Sequence, residues 1–151
     1  MKYQVMPPLS TEDFEALKAD IAANGVQIAV IEDEYGEVID GHHRVKACRE
    51  LGLTEWPKDI REGLAEDGKL ELAYRLNYAR RQATREQKQR DAEKLRREGW
   101  SYRRIERALG VARSTLYDWL GSEVSETGHV IGTDGKQYFS TKPEAPQIIE
   151  Q

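Results

Sequence analysis

The pattern of hydrophobic and polar positions in the first part of the chain predicts a helix followed by two strands. After Ser10, apolar residues recur mainly at three- and four-residue steps, acidic residues fill the first turn, and Asn24-Gly25 provides a stop. Two β-branched apolar runs, residues 28–31 and 37–39, flank an acidic turn that contains a glycine, which is typical of two short strands. The apolar positions assigned to this first helix are Phe14, Leu17, Ala19 and Ile21.

A second helix is expected to begin near His42, directly after the second strand, and to end just before Gly52. Its predicted inner side consists of Val45, Ala47, Cys48 and Leu51. Residues 51–63 are too interrupted for an assignment. Residues 69–82 then predict a third helix. The stripe assigned to that helix consists of Leu72, Leu76 and Ala79.

The second half of the chain predicts three more helices and a turn-rich tail. A capping box at Thr84 starts a helix that runs to Gly99. Ser101 starts a short helix, and residues 111–120 supply another. The tail, residues 122–151, is polar and predicts at most one hairpin, residues 129–139, with Asp134-Gly135 as its two-residue turn.

Charge is distributed unevenly along the chain. The net charge is −4, yet residues 1–79 carry 9 Lys/Arg against 16 Asp/Glu, residues 80–120 carry 12 against 6, and residues 121–151 carry 2 against 5. A basic region within an acidic chain is typical of a surface that binds a polyanion, although a basic helix can also be simply an exposed surface helix.

Composition argues against export, a membrane span and a structural metal site. The sequence has no run of eighteen apolar residues, and its N-terminus lacks the pattern of a signal peptide, so a cytoplasmic protein without membrane contact is expected. The single cysteine, Cys48, offers neither an internal disulfide nor a cysteine-based zinc site, and its apolar neighbours predict a buried, inert thiol.

The two short helices on either side of Leu109-Gly110-Val111 indicate a helix-turn-helix, the second helix being the one that reads DNA. Ala112 stands where a capping Ser is expected, which weakens the start of that helix by about 1 kcal/mol. The alternative is a small helical bundle with an ordinary polar surface. The residues predicted to contact phosphates and base edges are Ser101, Arg103, Arg104, Arg113, Ser114, Thr115 and Tyr117.

The stretch that starts at Gly41 and continues with two histidines and Arg44 lies at the predicted strand-to-helix turn. A metal site is disfavoured because the adjacent side chains of His42 and His43 point in different directions. A phosphate site fits better: glycine permits close approach, helix N-terminal amides point outward, and arginine adds a forked cation. Two plainer interpretations stay open, namely that the glycine only makes the turn and that Arg44 only pairs with Asp40.

These segments together resemble the ParB-like members of the ParB/sulfiredoxin superfamily, over residues 17–120. The order carries the resemblance: a first helix that ends in Asn24-Gly25, an IAVI strand, GEVIDGHHRVKACRELG, and LNYARRQATREQ before the helix-turn-helix. ParB proteins have Gly-Glu-Arg-Arg and sulfiredoxin has Gly-Cys-His-Arg at the loop, and both loops hold nucleotide phosphate. The tail stretch VIGTDGKQYF is similar to one in ParB-like proteins of phages and mobile elements.

The resemblance implies an α+β fold: a small mixed-sheet domain, residues 1–80, an all-α helix-turn-helix module, residues 81–121, and the tail. It implies binding of double-stranded DNA and of a nucleotide, CTP first, with Mg²⁺ as a possible companion, in a homodimer. The role would be partition or transcriptional regulation. The nucleotide-binding residues that it implies are Gly41, His42, His43, Arg44, Asn77, Arg80 and Arg81.

Position 42 departs from both relatives, since His42 replaces the Glu of ParB proteins and the reactive Cys of sulfiredoxin. Reductase chemistry is therefore not expected, and CTP hydrolysis is left open. One rival hypothesis is a nucleotide-dependent phosphotransferase or nucleotidase of the same superfamily, with Glu37 or His42 as its base. Another is an adaptor whose acidic N-terminal domain recruits a protein partner.

Overall fold

The computed structural model describes residues 2–121, 129–131 and 136–139. The chain divides into two compact units, Met1–Arg81 and Gln82–Gln151. The elements of the first unit are, in chain order, α1 (Thr11–Asn24), β1 (Val30–Asp33), β2 (Val38–Asp40), α2 (His42–Glu50), β3 (Lys58–Arg61) and α3 (Glu66–Arg80).

The three strands of the first unit form one mixed sheet in the order β2-β1-β3. β2 runs antiparallel to β1, with Ile31 opposite Asp40 and an irregularity before Glu32. β3 runs parallel to β1, with Val30 opposite Lys58. A parallel pair needs a crossover connection, and the one from β1 to β3 passes through β2 and α2. The α+β class and the small mixed sheet that the sequence implied are confirmed.

Two hydrophobic clusters hold this unit together. α3 packs on β2, while α1 packs against α2. Both arrangements follow from helices that bury one stripe each. The first cluster consists of Tyr3, Ile31, Ile39, Leu72 and Ala73. The second consists of Phe14, Ile21, Ala47 and Cys48. The predicted burial of Cys48 is therefore confirmed.

β1 includes two residues that the sequence placed in an acidic turn. Glu32 and Asp33 are both buried strand residues. Their carboxylates are satisfied by partners distant in sequence: Lys58 Nζ lies 3.1 Å from Glu32, and Lys69 Nζ lies 2.7 Å from Asp33. The predicted strand start was wrong, because Ile28 lies outside β1 and is 57% exposed. Two alanines assigned to inner stripes, Ala19 and Ala79, are exposed.

The described residues of the second unit form three helices and a strand pair. α4 and α5 have side-chain caps, since Thr84 accepts from the backbone N–H of Gln87 and Ser101 accepts from that of Arg104. A left-handed Gly110 ends α5, with φ of 62°. Its elements are α4 (Arg85–Arg97), α5 (Tyr102–Leu109), α6 (Arg113–Leu120), β4 (His129–Ile131) and β5 (Gln137–Phe139). The buried apolar side chains of these helices are Ala92, Leu95, Ile105, Ala108, Leu109, Leu116 and Leu120.

The predicted hairpin pairs as expected, because β4 and β5 are antiparallel with His129 opposite Phe139. Its predicted turn, Asp134-Gly135, lies outside the described residues, as does most of the predicted tail. Within the described part of the chain, no helix is long and apolar enough to cross a membrane.

Candidate functional site

A cavity of about 240 Å³ lies in the first unit at the start of α2. Its wall combines the N-terminal segment, the β2–α2 junction and the end of α3. The structure brings all the residues that the sequence proposed for nucleotide binding to this wall: Gly41, His42, His43, Arg44, Asn77, Arg80 and Arg81. Asp40 and the N-terminal residues Gln4, Met6 and Leu9 also line it, and the sequence had not assigned them to a site.

Gly41 forms the N-terminal boundary of α2 in a conformation that favours glycine, with φ of 102°. A Cβ at this position would lie 2.8 Å from Arg44 Nη2 and 3.2 Å from a methyl group of Val30. No side chain among the described residues caps α2. The first amides of an uncapped helix carry partial positive charge and lack intrahelical partners, so this end of α2 suits an anion.

The carboxylate of Asp40 organises the cations of the cavity. It accepts hydrogen bonds from Arg44 Nη2 at 3.0 Å and from Arg80 Nη1, and Asn77 Nδ2 lies 3.4 Å away. Asp40 is 6% exposed, whereas Arg80 is 41% exposed. The pair between Arg44 and Asp40 that the sequence left open is therefore present. Arg44 Nε has no partner among the described residues, so the guanidinium is only partly used by the protein.

The two histidines have different environments. His42 is buried, and its Nε2 has no hydrogen-bond partner in the described part of the chain. His43 Nε2 accepts a hydrogen bond from the backbone N–H of Leu9 at 3.3 Å, which ties the N-terminal segment to α2. Burial lowers the pKa of both imidazoles, and the charges of Arg81 and Lys46 lower that of His43 further. Both rings are therefore neutral at pH 7, and His43 has only Nδ1 left to donate to a ligand.

Glu37, one of the two proposed bases, does not line this cavity. It is exposed in the turn between β1 and β2 and lines a separate pocket of about 140 Å³ with Val38 and Arg49. His42, the other proposed base, lines both spaces. A base must reach the proton that it removes, so Glu37 is poorly placed for chemistry in the cavity at the start of α2.

The donor set of the cavity does not fit a Mg²⁺ ion held by the protein. Asp40 is the one carboxylate among the described lining residues, and two guanidiniums already engage it. Within residues 2–121 and the described strands, no group of three or more His, Cys, Asp or Glu residues could hold a metal. Mg²⁺ prefers several oxygen ligands, so no step is assigned to it.

Most of the residues proposed to contact DNA lie on the surface of α5 and α6. Arg103, Arg113, Ser114 and Tyr117 are exposed, and Thr115 is half-buried. Ser101 is half-buried, and its hydroxyl serves as the cap of α5.

Arg104 is a correction, because its side chain is 1% exposed and cannot reach a duplex in this conformation. Its guanidinium stacks on Trp100, 3.4 Å from the ring centroid. Position 104 is four residues before Ala108 and so falls on the buried stripe of α5, a signal that the sequence already contained. Arg96 is also buried and donates to the carbonyl of Trp100.

Comparison with known proteins gives one family. The sequence model of the ParB N-terminal domain matches residues 1–78, about half of the chain. Protein ORF326b of Acidianus two-tailed virus is 36% identical over 73 residues, which are 48% of this chain and 22% of that protein. The chain thus spans less than a quarter of this relative.

Two solved structures with TM-scores of 0.51 share the fold of this chain. The C-terminally truncated chromosome-partitioning protein ParB from Caulobacter crescentus, complexed to the centromeric parS site, matches with 20% identity and a TM-score of 0.51, over 78% of this chain and 63% of that one. The same protein complexed with CTP-γ-S matches with 22% identity and a TM-score of 0.46, over 78% and 68%.

A Pnob8-like ParB-N domain matches with 18% identity and a TM-score of 0.51, over 91% of this chain and 51% of that one. At such identities the likeness concerns the fold, which is a small mixed sheet with several helices. The match over residues 1–78, together with this fold, shows that the chain belongs to the ParB N-terminal domain family.

Proposed function

We propose that this protein is a nucleotide-regulated DNA-binding protein of the ParB type, which binds CTP at the start of α2 and duplex DNA through α5 and α6. The observation that carries the proposal is the convergence of Gly41, Arg44 and Arg80 on one cavity in a chain of this family. Binding of the nucleotide would change how two copies associate on DNA, in partition or in transcriptional regulation, and the viral relative favours a mobile-element setting.

The charge of the cavity suits a nucleotide phosphate. Arg44, Arg80 and Arg81 line it, and Asp40 is the one carboxylate among the lining residues that the structure describes. Asp40 lies deeper than the guanidiniums, which it holds in place while their remaining donors serve a ligand. An uncapped helix N-terminus adds amide donors, and the absence of a Cβ at Gly41 leaves room for the Arg44 guanidinium beside it.

The space near α2 extends beyond the phosphate end. A second cavity of about 250 Å³ shares Leu9 and His43 with the first and is bounded by Phe14 and Lys46. Small-molecule sites are typically about 300–1,000 Å³. The two spaces together have the size needed for a nucleoside with its phosphates, whereas either alone suits only part of one.

Calorimetric titration with CTP tests the nucleotide site. Arg44→Ala is expected to weaken binding at least about tenfold, since a bidentate charge-assisted contact to phosphate is lost. Arg49→Ala is the matched control, because Arg49 is an exposed arginine of the same helix that does not line the cavity. Equal affinities for wild type and Arg44→Ala, with Arg49→Ala unchanged, would remove the support for a nucleotide site here.

The second unit supports DNA binding through charge and shape. α5 and α6 are separated by three residues that include the left-handed Gly110, a spacing typical of a helix-turn-helix. Arg103 and Arg113 are exposed on these helices, within a region where basic residues outnumber acidic ones twofold. α6 would enter the major groove and α5 would lie across the backbone.

Salt dependence of duplex binding tests this part of the proposal. The logarithm of affinity should fall linearly with the logarithm of salt concentration, and Arg103→Ala should reduce the slope by about one. Arg61→Ala is the control, because Arg61 is an exposed arginine of the first unit. Two results would contradict a DNA surface on α5 and α6. One is a protein that binds no duplex at low salt. The other is a salt slope that is unchanged by Arg103→Ala but reduced by Arg61→Ala.

Hydrolysis of the bound nucleotide is a second candidate function, favoured by one observation. His42 has a neutral, buried imidazole whose Nε2 lacks a partner among the described residues, and such a nitrogen can accept a proton from water. If His42 is the base, His42→Gln abolishes CTP turnover while CTP still binds. Turnover that survives His42→Gln would exclude His42 as the base. An absence of turnover in the wild type, with and without DNA, would leave a binding switch without hydrolysis.

A further inference from the structure

Arg113, the first residue of α6, is held by a glutamate from the preceding helix. Glu106 Oε2 accepts hydrogen bonds from Arg113 Nε at 3.1 Å and from Arg113 Nη2 at 2.8 Å. The side chains are 48% exposed for Arg113 and 34% exposed for Glu106. The side-chain hydrogen bonds from Arg113 and its charge lower the pKa of Glu106, so the carboxylate stays ionised beside the guanidinium. The pair spans the turn between α5 and α6.

This arrangement fixes which edge of the guanidinium faces outward. An arginine has five N–H donors in a planar fork, and Glu106 takes those on the Nε–Nη2 edge. The Nη1–Nη2 end remains for a ligand. That end matches the paired acceptors O6 and N7 of guanine in the major groove, which is the commonest specific contact of arginine with a base.

The surface beside Arg113 is also fixed. Tyr117, one turn later on α6, is 53% exposed, and its ring packs against Tyr102 with centroids 4.5 Å apart. The Tyr102 hydroxyl in turn donates to the carbonyl of Gly121, at the end of α6. Ordered side chains lose less rotamer freedom on binding, so an ordered surface favours specific contacts over general attraction.

We propose that Glu106 is a positioning residue that presents Arg113 end-on to a guanine of the recognised duplex. The inference rests on the proposed DNA-binding function and adds to it a base and a residue that controls the reading of that base. A positioning role and a purely electrostatic role of Glu106 predict different effects on the preference for one base. An acidic residue that merely faces phosphate weakens binding to every duplex, whereas a positioning residue strengthens the preference for one base.

The experiment begins with selection of duplexes from a randomised pool by the full wild-type chain. Affinities are then measured at one salt concentration for the selected site, for the same site with the preferred guanine replaced by adenine, and for an unrelated duplex. Arg113→Ala should remove the preference for guanine, which is expected to be about 5- to 150-fold. Glu106→Ala should lower this preference at least about threefold while leaving binding to the unrelated duplex unchanged or tighter. Glu106→Gln, which keeps one acceptor, should fall between wild type and Glu106→Ala.

Asp118→Asn is the matched control, because Asp118 is an exposed acid on α6 and its substitution removes the same charge. It should strengthen binding to all three duplexes alike and leave the preference for guanine intact. If Glu106→Ala behaves like Asp118→Asn, or if Arg113→Ala leaves the preference unchanged, the positioning role is overturned while DNA binding stands. A wild-type chain that binds no duplex overturns the proposed DNA-binding function as well. Thermal melts of each variant establish that the helices are folded.

Discussion

At the scale of single residues, the buried carboxylate of Asp40 is the feature on which the cavity depends. It engages Arg44 and Arg80 and lies close to Asn77, and it joins the end of β2, the start of α2 and the end of α3. An ion pair that is mostly removed from water contributes little net stability when intact, yet its disruption leaves an uncompensated charge. The intact carboxylate of Asp40 therefore places the two arginines but adds little to the net stability of the fold.

Substitution of Asp40 should expose this dependence. Asp40→Ala is expected to lower the free energy of unfolding by about 3 kcal/mol, because the largely buried Arg44, 14% exposed, loses its carboxylate. Asp59→Ala removes the carboxylate of a pair with Arg61 in which both side chains are about half exposed, and should cost less than about 1 kcal/mol. Urea unfolding measures both. Similar small losses in the two variants would contradict the role given to Asp40.

The histidines of the cavity make stability depend on pH. Burial lowers the pKa of His42 and His43 below the ordinary value of 6.5, so the unfolded chain binds protons that the folded chain does not. Their contribution is complete above about pH 6.5 and is lost as pH falls through the folded pKa values. Protonation of His43 also removes its acceptor for the Leu9 amide. Urea midpoints should therefore be lower at pH 5.5 than at pH 7.5.

The control for this effect is the double variant His42→Gln/His43→Gln, in which the midpoint should change much less between the two pH values. A decrease as large as that of the wild type would assign the pH dependence to other groups.

Sequence predicted the residues of the cavity better than their partners. Glycine, arginine and asparagine are carried by short motifs, so Gly41, Arg44 and Asn77 were found. The sequence raised the pair of Asp40 with Arg44, four positions later, but it could not show that Arg80, 40 positions later, would join it. That second contact depends on the packing of α3 against β2. The assignment of Arg104 to the DNA surface was wrong because it followed the charge of the residue and not the helical period of α5. In the structure the buried guanidinium of Arg104 stacks on the ring of Trp100.

At the scale of secondary structure, side-chain caps explain where α1, α4 and α5 begin, and ion pairs explain the buried acids of β1. Ser10, Thr84 and Ser101 each accept a backbone hydrogen bond at the start of a helix, and all three helices begin where the sequence placed them. β3 escaped prediction because it is a largely exposed edge strand with one apolar residue, Ile60, and its pairing with β1 is made by the backbone. The end of β1 was missed because Lys69 compensates a carboxylate that looks solvent-facing in sequence.

The cap of α6 offers a test at this scale. Ala112 occupies the N-cap position with no side-chain hydrogen bond among the described residues, as its sequence predicted. Ala112→Ser should raise the free energy of unfolding of the second unit by about 1 kcal/mol, since a hydroxyl satisfies one free amide. Ser101→Ala, at the capped start of α5, should lower it by a similar amount. Denaturant melts followed by tryptophan fluorescence report both changes, and an Ala112→Ser variant no more stable than wild type would contradict this account of α6.

At the scale of the whole molecule, the chain combines an acidic unit with a cationic cavity and a helical unit with a net basic region. The order of segments sufficed to predict the family, because the loop, the strand before it and the helices after it occur in a fixed sequence. Regulation of DNA binding by the nucleotide requires a coupling free energy between the two ligands, since a nucleotide shifts only those states that it binds unequally.

The most direct test of nucleotide-regulated DNA binding is the duplex affinity of the full chain, measured at one salt concentration with and without saturating CTP. We expect CTP to change the dissociation constant for the selected duplex at least about fivefold, the lower end of typical couplings between sites. In Arg44→Ala this difference should vanish, while Arg49→Ala should retain it. A duplex affinity that is the same with and without CTP, in a wild-type chain that binds both ligands, would contradict the account.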